Sequence, residues 1–519
     1  MSQVAFDRAA NLQRLGHDKF DVLVIGGGIT GAGVALDAVT RGLSVALVDK
    51  GDFASGTSSK SSKLVHGGLR YLQQREFRLV YENLHERQRL LKNAPHLVSP
   101  LPFLIPIFGK DGAMSAVLAK GYSSALRLYD LTGGVRIGHR YSRLSKEEAA
   151  KHLPTLRPDR LAAAFLYWDA RADDARLTLT IARTAAAHGA VMANYSPVAS
   201  LTREGSRVNG AVLEDGTTIR AEVVINATGV WADHIQRLDG STEPVHIRPA
   251  KGVHVTVPFA KVPADIAVVV NVPGDRRSIF VVPWGDHVYL GTTDTDYNGP
   301  IENPTCTSED IAYLLSAINA ATTETLTEAD VVGTWAGLRP LVADAKSTRT
   351  ADLSRRHSVS TSPAGVVTVT GGKLTTYRAM AEDTVNVAVK ALKRGGKTKT
   401  KRLKLVGAEG VKENHDHLVG RFGSEAAEIK ALVTTDPTLG EPLVPGLAYL
   451  RAEAVWSARH EMVHTLADVL ARRTRALLLD RDATLAAAES VAELIAPEVG
   501  WSTTDVAAQV AAFKEMATT

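Results

Sequence analysis

Apolar and polar positions along the chain follow two alternating periods, and the first clear pattern starts at Asp21. Val22 to Ile25 is a short apolar run, glycines follow, Ala32 to Arg41 has helical spacing, and Ser44 to Val48 turns apolar again, which predicts a βαβ unit. From Asp173 the pattern predicts a second helix, N-capped by Asp173 or Asp174 and closed by Gly189, and then strand-like runs over 190–201 and 208–213. Asp215-Gly216 marks a hairpin turn, and Glu222 to Asn226 is an apolar strand that ends in Ala227-Thr228-Gly229. Sheet elements thus return far from the first unit, so the prediction is a discontinuous dinucleotide-binding domain over 19–90, 171–240 and 331–389. Val253 to Val257, Ile279 to Val282 and His287 to Gly291, with a turn at Gly285-Asp286, predict a separate antiparallel sheet, the substrate domain, over 91–170 and 241–330. Lys390, Lys393, Arg394, Lys397, Lys399, Lys401, Arg402 and Lys404 stand together without an acid and read as a basic linker over 390–404. Residues 405–519 are rich in Ala and Leu at helical spacing, which predicts a helical C-terminal domain.

Composition narrows the function classes. A chain of 519 residues with 60 Lys plus Arg against 56 Asp plus Glu has no overall charge that would draw it to nucleic acid. Cys306 is the only cysteine, which excludes an intramolecular disulfide and multi-thiolate metal centres and fits a reducing cytoplasmic setting. The N-terminus scatters Asp7, Arg8, Arg14 and Asp18 among polar residues, unlike a signal peptide, and no apolar run is long enough to span a bilayer.

Gly26-Gly27-Gly28-Ile29-Thr30-Gly31 fits the dinucleotide fingerprint because it follows a strand and opens a helix, with Asp49 closing the next strand. Gly26 suits the tight turn, Gly28 the approach of a pyrophosphate to the helix N-terminus, and Gly31 close helix–strand packing. Asp49 is placed to accept from ribose hydroxyls, which disfavours NADP and leaves FAD and NAD open. Downstream, 55–63 is a polar loop dense in backbone N–H and hydroxyl donors suited to wrapping a cofactor, and Thr370 to Arg378 places a glycine pair between a strand and a helix.

Taken together, Val24 to Ile29 with Gly31, the loop Thr57 to Tyr71 reading TSSKSSKLVHGGLRY, 226–229, Pro283-Trp284, 291–294, 337–341 and 371–378 resemble the FAD-dependent, quinone-linked glycerol-3-phosphate dehydrogenase family. Glu461 to Val463 and Asp468 to Arg475 resemble that family's helical C-terminal domain. The resemblance implies an α/β fold: a discontinuous Rossmann-type FAD-binding domain, an antiparallel-sheet substrate domain and a helical C-terminal domain. It implies oxidation of sn-glycerol 3-phosphate at C2 to dihydroxyacetone phosphate, with electrons passing through FAD to a quinone. A related oxidase using dioxygen or an amine substrate is the alternative. FAD is expected on Gly26, Gly28, Gly31, Asp49, Thr57, Ser58, Ser59, Ser62, Gly229, Gly371, Gly372 and Lys373. His254 matches the family's candidate base, and a histidine near neutrality suits removal of the alcohol proton, with base and hydrogen-bond donor both open. Arg70 and Arg339 match phosphate-binding arginines, for which guanidinium forks are suited, and Tyr71 and Thr375 match other substrate positions. Lys373 is expected in the catalytic set, serving either the substrate or the flavin pyrimidine.

Two further patterns compete or add. His460-Glu461-Met462-Val463-His464 fits H-E-x-x-H on a predicted helix, but no third ligand follows at a recognisable spacing, so no metal is expected. Met114, Val117, Leu118, Tyr122, Ala125, Leu126 and Tyr129 share one helical face near Lys110, Lys120 and Arg127, a candidate interfacial helix, and the basic linker is a candidate for anionic lipid. The expectation is a cytoplasmic protein with peripheral contact on the inner face of the cytoplasmic membrane, without a nucleic-acid partner, and open to oligomerisation.

Overall fold

The computed structural model describes residues 6–69, 71, 76–109, 116–241, 247–275, 277–342, 356–411 and 416–518. In chain order the strands are β1 (Lys19–Ile25), β2 (Val45–Val48), β3 (Leu64–Val65), β4 (Val98–Phe108), β5 (Ser142–Leu144), β6 (Leu161–Ala172), β7 (Val191–Ala193), β8 (Val198–Glu204) and β9 (Arg207–Leu213). They continue as β10 (Thr218–Asn226), β11 (Ile247–Pro258), β12 (Ala267–Asn271), β13 (Ser278–Trp284), β14 (His287–Gly291), β15 (Thr295–Asp296), β16 (Gly333–Val342), β17 (His357–Thr361) and β18 (Val367–Gly371).

The first sheet runs β17-β18-β10-β1-β2-β7, with β9 beside β10 and β8 beside β9. From β18 to β7 it is parallel, pinned by Val22 between Val45 and Val223. A parallel sheet is covered on both faces, which is why β1 reads as an unbroken apolar run. Val22 and Val24 point into a core shared with the helices Ile29–Thr40, Asp174–Ala187 and Tyr377–Leu392, while Leu23 and Ile25 face a second core with Leu15, Val208 and Ala211. Asp173 is the N-cap of the second of these helices, its carboxylate accepting from the N–H groups of Ala175 and Arg176.

The second sheet runs β15-β11-β14-β13-β12-β4-β6-β3, with β16 on β11 and β5 on β6. It is antiparallel except where β12 meets β4, which lie parallel at Ala267 and Phe103. The structure also moves one segment. Sequence placed 331–389 in the dinucleotide part, but β16 pairs with β11 in the second sheet, from Ile247 opposite Val342 to Thr256 opposite Gly333. Periodicity reveals that a run is a strand and is silent on which edge receives it. The short β3 likewise pairs with β6.

The C-terminal helices, among them Arg451–His460, Arg481–Val499 and Thr503–Thr518, close over a core of Leu466, Val469, Leu470, Val491, Ile495 and Phe513. The basic stretch 390–404 differs from the linker expected: it is a strap against the first sheet. Arg394 pairs with Glu222 at 2.6 Å and with Asp21, Lys401 with Glu382 at 3.0 Å, and Thr400 donates to Asp37 at 3.0 Å. Acids on β1, β10 and the helix Tyr377–Leu392 thus pair with part of its charge.

The candidate interfacial face also packs differently. On the helix Ala116–Leu131, Leu126 and Tyr129 are buried in the core and Tyr122 stacks on Phe165 at 6.0 Å. Lys110 and Met114 lie outside the described residues. The large apolar side chains left exposed among the described residues are Leu128 and Leu131 there and Phe77 and Tyr81 on the adjoining helix Phe77–Asn93. No helix among the described residues is long and apolar enough to cross a membrane. The H-E-x-x-H pattern is not on one helix: that helix ends at His460, Met462 has φ +50°, and buried Glu461 pairs with Arg176. Two guanidinium neighbours, Arg176 and then Arg183, hold the Glu461 carboxyl below its ordinary range against the effect of burial.

Candidate active site

The C-terminal ends of β1, β10 and β18 meet where the strand order leaves the first βαβ unit, the place where open parallel sheets bind ligands. Gly26, at φ +112°, turns the chain there, and a Cβ on it would stand 2.7 Å from the carbonyl oxygen of Ala227. A Cβ on Gly31 would strike the Gly26 carbonyl at 1.8 Å, so helix and turn touch only because neither has a side chain. Gly28 is the N-cap of the helix Ile29–Thr40 and supplies no side-chain cap, and the Ser58 hydroxyl takes the Ile29 N–H at 2.9 Å. Asp49 accepts from the N–H groups of Gly27 at 2.5 Å and Gly51 at 2.8 Å. Burial pushes its carboxyl up to about 6 despite those donors. Gly371 and Gly372, at φ +73° and +79°, form the turn after β18, and Gly229, at φ +62°, opens the turn after β10 with open space at its Cβ position. A glycine-lined helix start beside an acid at the end of the next strand fits an ADP-type cofactor.

The hydroxyls of the following loop are used differently from the cofactor contacts expected. Thr57 donates to the Leu338 carbonyl at 2.7 Å, and Ser58 accepts from the Ile29 N–H at 2.9 Å. Ser59 is buried, and its carbonyl accepts from Lys63 and Arg475. The Ser62 hydroxyl meets His254 Nε2 at 2.9 Å. With Trp335 Nε1 donating to Ser61 O at 3.2 Å and the Tyr289 hydroxyl to Ser62 O at 2.9 Å, the loop is laid across β16, β11 and β14. Its far end is tied at Gly67, whose N–H donates to Asp169 at 3.1 Å beside Tyr129 and Arg87.

His254 stands on β11 opposite Gly291 and Trp335. Its ring is buried, stacks on Trp335 at 4.7 Å and 7°, and leaves Nδ1 without a protein partner among the described residues. Burial, then Lys63, then Arg339 hold the imidazole well below its ordinary range, so it is neutral. Arg339, four residues along β16 and opposite Ala250, is about a quarter exposed and reaches Asp294 at 3.2 Å and the Thr292 hydroxyl at 3.1 Å. Lys373 lies 3.7 Å over the Tyr71 ring. Thr375 is buried, and its hydroxyl accepts from the His66 N–H at 3.2 Å, which ties the glycine turn to the loop. Arg70 lies outside the described residues. The structure thus brings His254, Ser62 and Arg339 to one stretch of sheet and Lys373 to Tyr71. Sequence reasoning missed Trp335, Tyr289 and Asp174; the alternation of β11 against β16 carries the only signal for the first.

The family described as FAD dependent oxidoreductase matches residues 21–384, and the C-terminal domain of alpha-glycerophosphate oxidase matches 395–506. The chain is 42% identical to glycerol-3-phosphate dehydrogenase 2 of Mycobacterium bovis over 97% of its own length and 89% of that protein. It is 39% identical to the mitochondrial glycerol-3-phosphate dehydrogenase of Bos taurus over 93% of its length and 71% of that protein. The crystal structure of the glycerol-3-phosphate dehydrogenase from Bacillus halodurans complexed with FAD superposes with a TM-score of 0.80 at 31% identity, covering 100% of this chain and 98% of that one. FAD is therefore the cofactor, and the chain belongs to the glycerol-3-phosphate dehydrogenase family of FAD-dependent oxidoreductases.

Proposed function

We propose that this protein oxidises the C2 hydroxyl of sn-glycerol 3-phosphate to the ketone of dihydroxyacetone phosphate and delivers the electrons to a quinone. The observation that supports this best is a buried, neutral imidazole next to a guanidinium on adjacent strands, under the loop from Thr57 to Tyr71. FAD, when bound, supplies the acceptor for the hydride from C2. In the tautomer this reaction needs, His254 carries its proton on Nε2 toward the Ser62 hydroxyl 2.9 Å away, and the Nδ1 lone pair receives the hydroxyl proton. Arg339 offers its fork to the phosphate dianion, and Arg70 joins it as the second guanidinium. Lys373, over Tyr71, adds positive charge where negative charge gathers during the transfer. Gly26, Gly28, Asp49, Gly229, Gly371 and Gly372 would hold FAD.

The test is the absorption spectrum of the anaerobic holoprotein. Addition of sn-glycerol 3-phosphate should bleach the flavin bands, glycerol should not, and His254→Asn should slow bleaching by about 10²-fold or more. Re-oxidation by a soluble quinone analogue should far outpace peroxide formation in air. Bleaching by glycerol alone would overturn the substrate, and peroxide at the quinone rate would overturn the acceptor.

A further inference from the structure

Lys63 is a buried cation that the chemistry above does not use. Its ammonium lies 3.3 Å from the wholly buried carboxylate of Asp174, 4.4 Å over the Trp335 ring and 5.5 Å over the Trp284 ring. Asp174 also accepts from Ser61 N at 2.9 Å, from the Ser61 hydroxyl at 2.7 Å and from Arg475 Nη2 at 3.0 Å. Arg475 belongs to the C-terminal domain and donates in addition to the Ser59 carbonyl. A line of direct contacts therefore runs from Arg475 through Asp174, Lys63 and Trp335 to His254.

We propose that Lys63 is a positioning residue for the proposed oxidation: clamped by Asp174, its ammonium holds Trp335 against His254 and opposes a second proton on that imidazole. The inference rests on His254 as the proton acceptor. A cation over an indole face is attracted by the ring quadrupole, most strongly where water is excluded, and a positive charge near an imidazole disfavours its protonated form. Burial brings Lys63 itself down to about 8, against the pull of Asp174, so the clamp carries its charge through neutral pH. The other groups facing His254 are the Ser62 hydroxyl from the loop, the Tyr289 ring from β14, and Arg339 with its Asp294 partner from β16 and the turn beyond β14. Among these, Arg339 is the other cation, and it is shared with Asp294, whereas Lys63 sits on the ring that His254 stacks against.

The experiment is the pH profile of anaerobic flavin bleaching by saturating sn-glycerol 3-phosphate in FAD-loaded wild type, Lys63→Met, Lys63→Arg, Asp174→Asn and His254→Asn. Substrate ionisation is common to all of them, so differences report on the protein. Lys63→Met should move the acid limb up by about one pH unit, Lys63→Arg should restore it, and Asp174→Asn, which removes the countercharge, should move it down. A purely structural role gives no shifts of opposite sign. If His254→Asn bleaches at the wild-type rate, the base assignment falls. If His254→Asn is inert while the limbs of Lys63→Met and wild type coincide, the Lys63 inference alone falls. Should Lys63→Met fail to hold FAD, an Asp174→Asn limb at or above the wild-type pH overturns the inference.

Discussion

Arg339 and Asp49 show how one side chain's surroundings set a measurable property. Arg339 spreads its donors over Asp294, Thr292 and the Thr293 carbonyl, partners that hold the fork in place while leaving a quarter of it open. Arg339→Ala should lower kcat/KM by about 10- to 100-fold, largely through KM, the size expected for losing a charge-assisted contact to a phosphate, with flavin content unchanged. Steady-state kinetics beside the flavin absorbance of each preparation checks this. Asp49 titrates near 6 because burial outweighs the donors from Gly27 and Gly51. Its folded value lies above the unfolded one, so the folded apoprotein binds the extra proton and its stability falls as pH rises from about 4 to 6. Ribose hydroxyls donate more strongly to the ionised form, so FAD affinity should run the other way, weakening below pH 6 by at most about tenfold per pH unit. Titration of apoprotein with FAD at pH 5, 6 and 7 reads this, and Asp49→Asn should flatten the dependence.

Elements explain which parts of the site were legible in sequence. The fingerprint, Asp49 and the turn at Gly371 and Gly372 were legible because their constraints are local: a tight turn, a close helix, a strand end. The roles of Ser62 and Thr375 were not, because hydroxyls that hold cofactor and hydroxyls that hold a loop look alike until strands distant in sequence are paired. β16 is the clearest instance, since Trp335 reaches His254 only through its register on β11. The loop 52–63 depends on the C-terminal helices in the same way, through Asp52 bound by Arg472 at 2.6 Å and Arg473 at 2.5 Å. Arg473→Met leaves the buried Asp52 carboxylate with Arg472 and Asn194, so it should cost about 1.5–3 kcal/mol, the size of a hydrogen bond to a charged group, and loosen FAD. Urea unfolding followed by both helicity and flavin fluorescence checks it: flavin release should precede loss of helicity.

At the scale of the whole molecule, the structure redistributes the candidate membrane contacts. The inward face of the helix Ala116–Leu131 is core, and Arg394 and Lys401 of the basic strap are engaged with carboxylates, which leaves Phe77, Tyr81, Leu128 and Leu131 as the exposed large apolar side chains among the described residues. If these contact lipid, release from membranes should need mild detergent more than high salt, because screening acts on charge and not on apolar burial. Co-sedimentation with lipid vesicles of wild type and of a Leu128→Ser, Leu131→Ser double variant tests this, with the variant expected in the supernatant. The contact of Arg475 with Ser59 joins residues 416 positions apart. For a chain emerging from a ribosome, the first glycine turn appears early, while the loop beside it waits for the last helical region before it is pinned. Pinning of that loop then follows synthesis of Arg475, well after the glycine turn has left the ribosome.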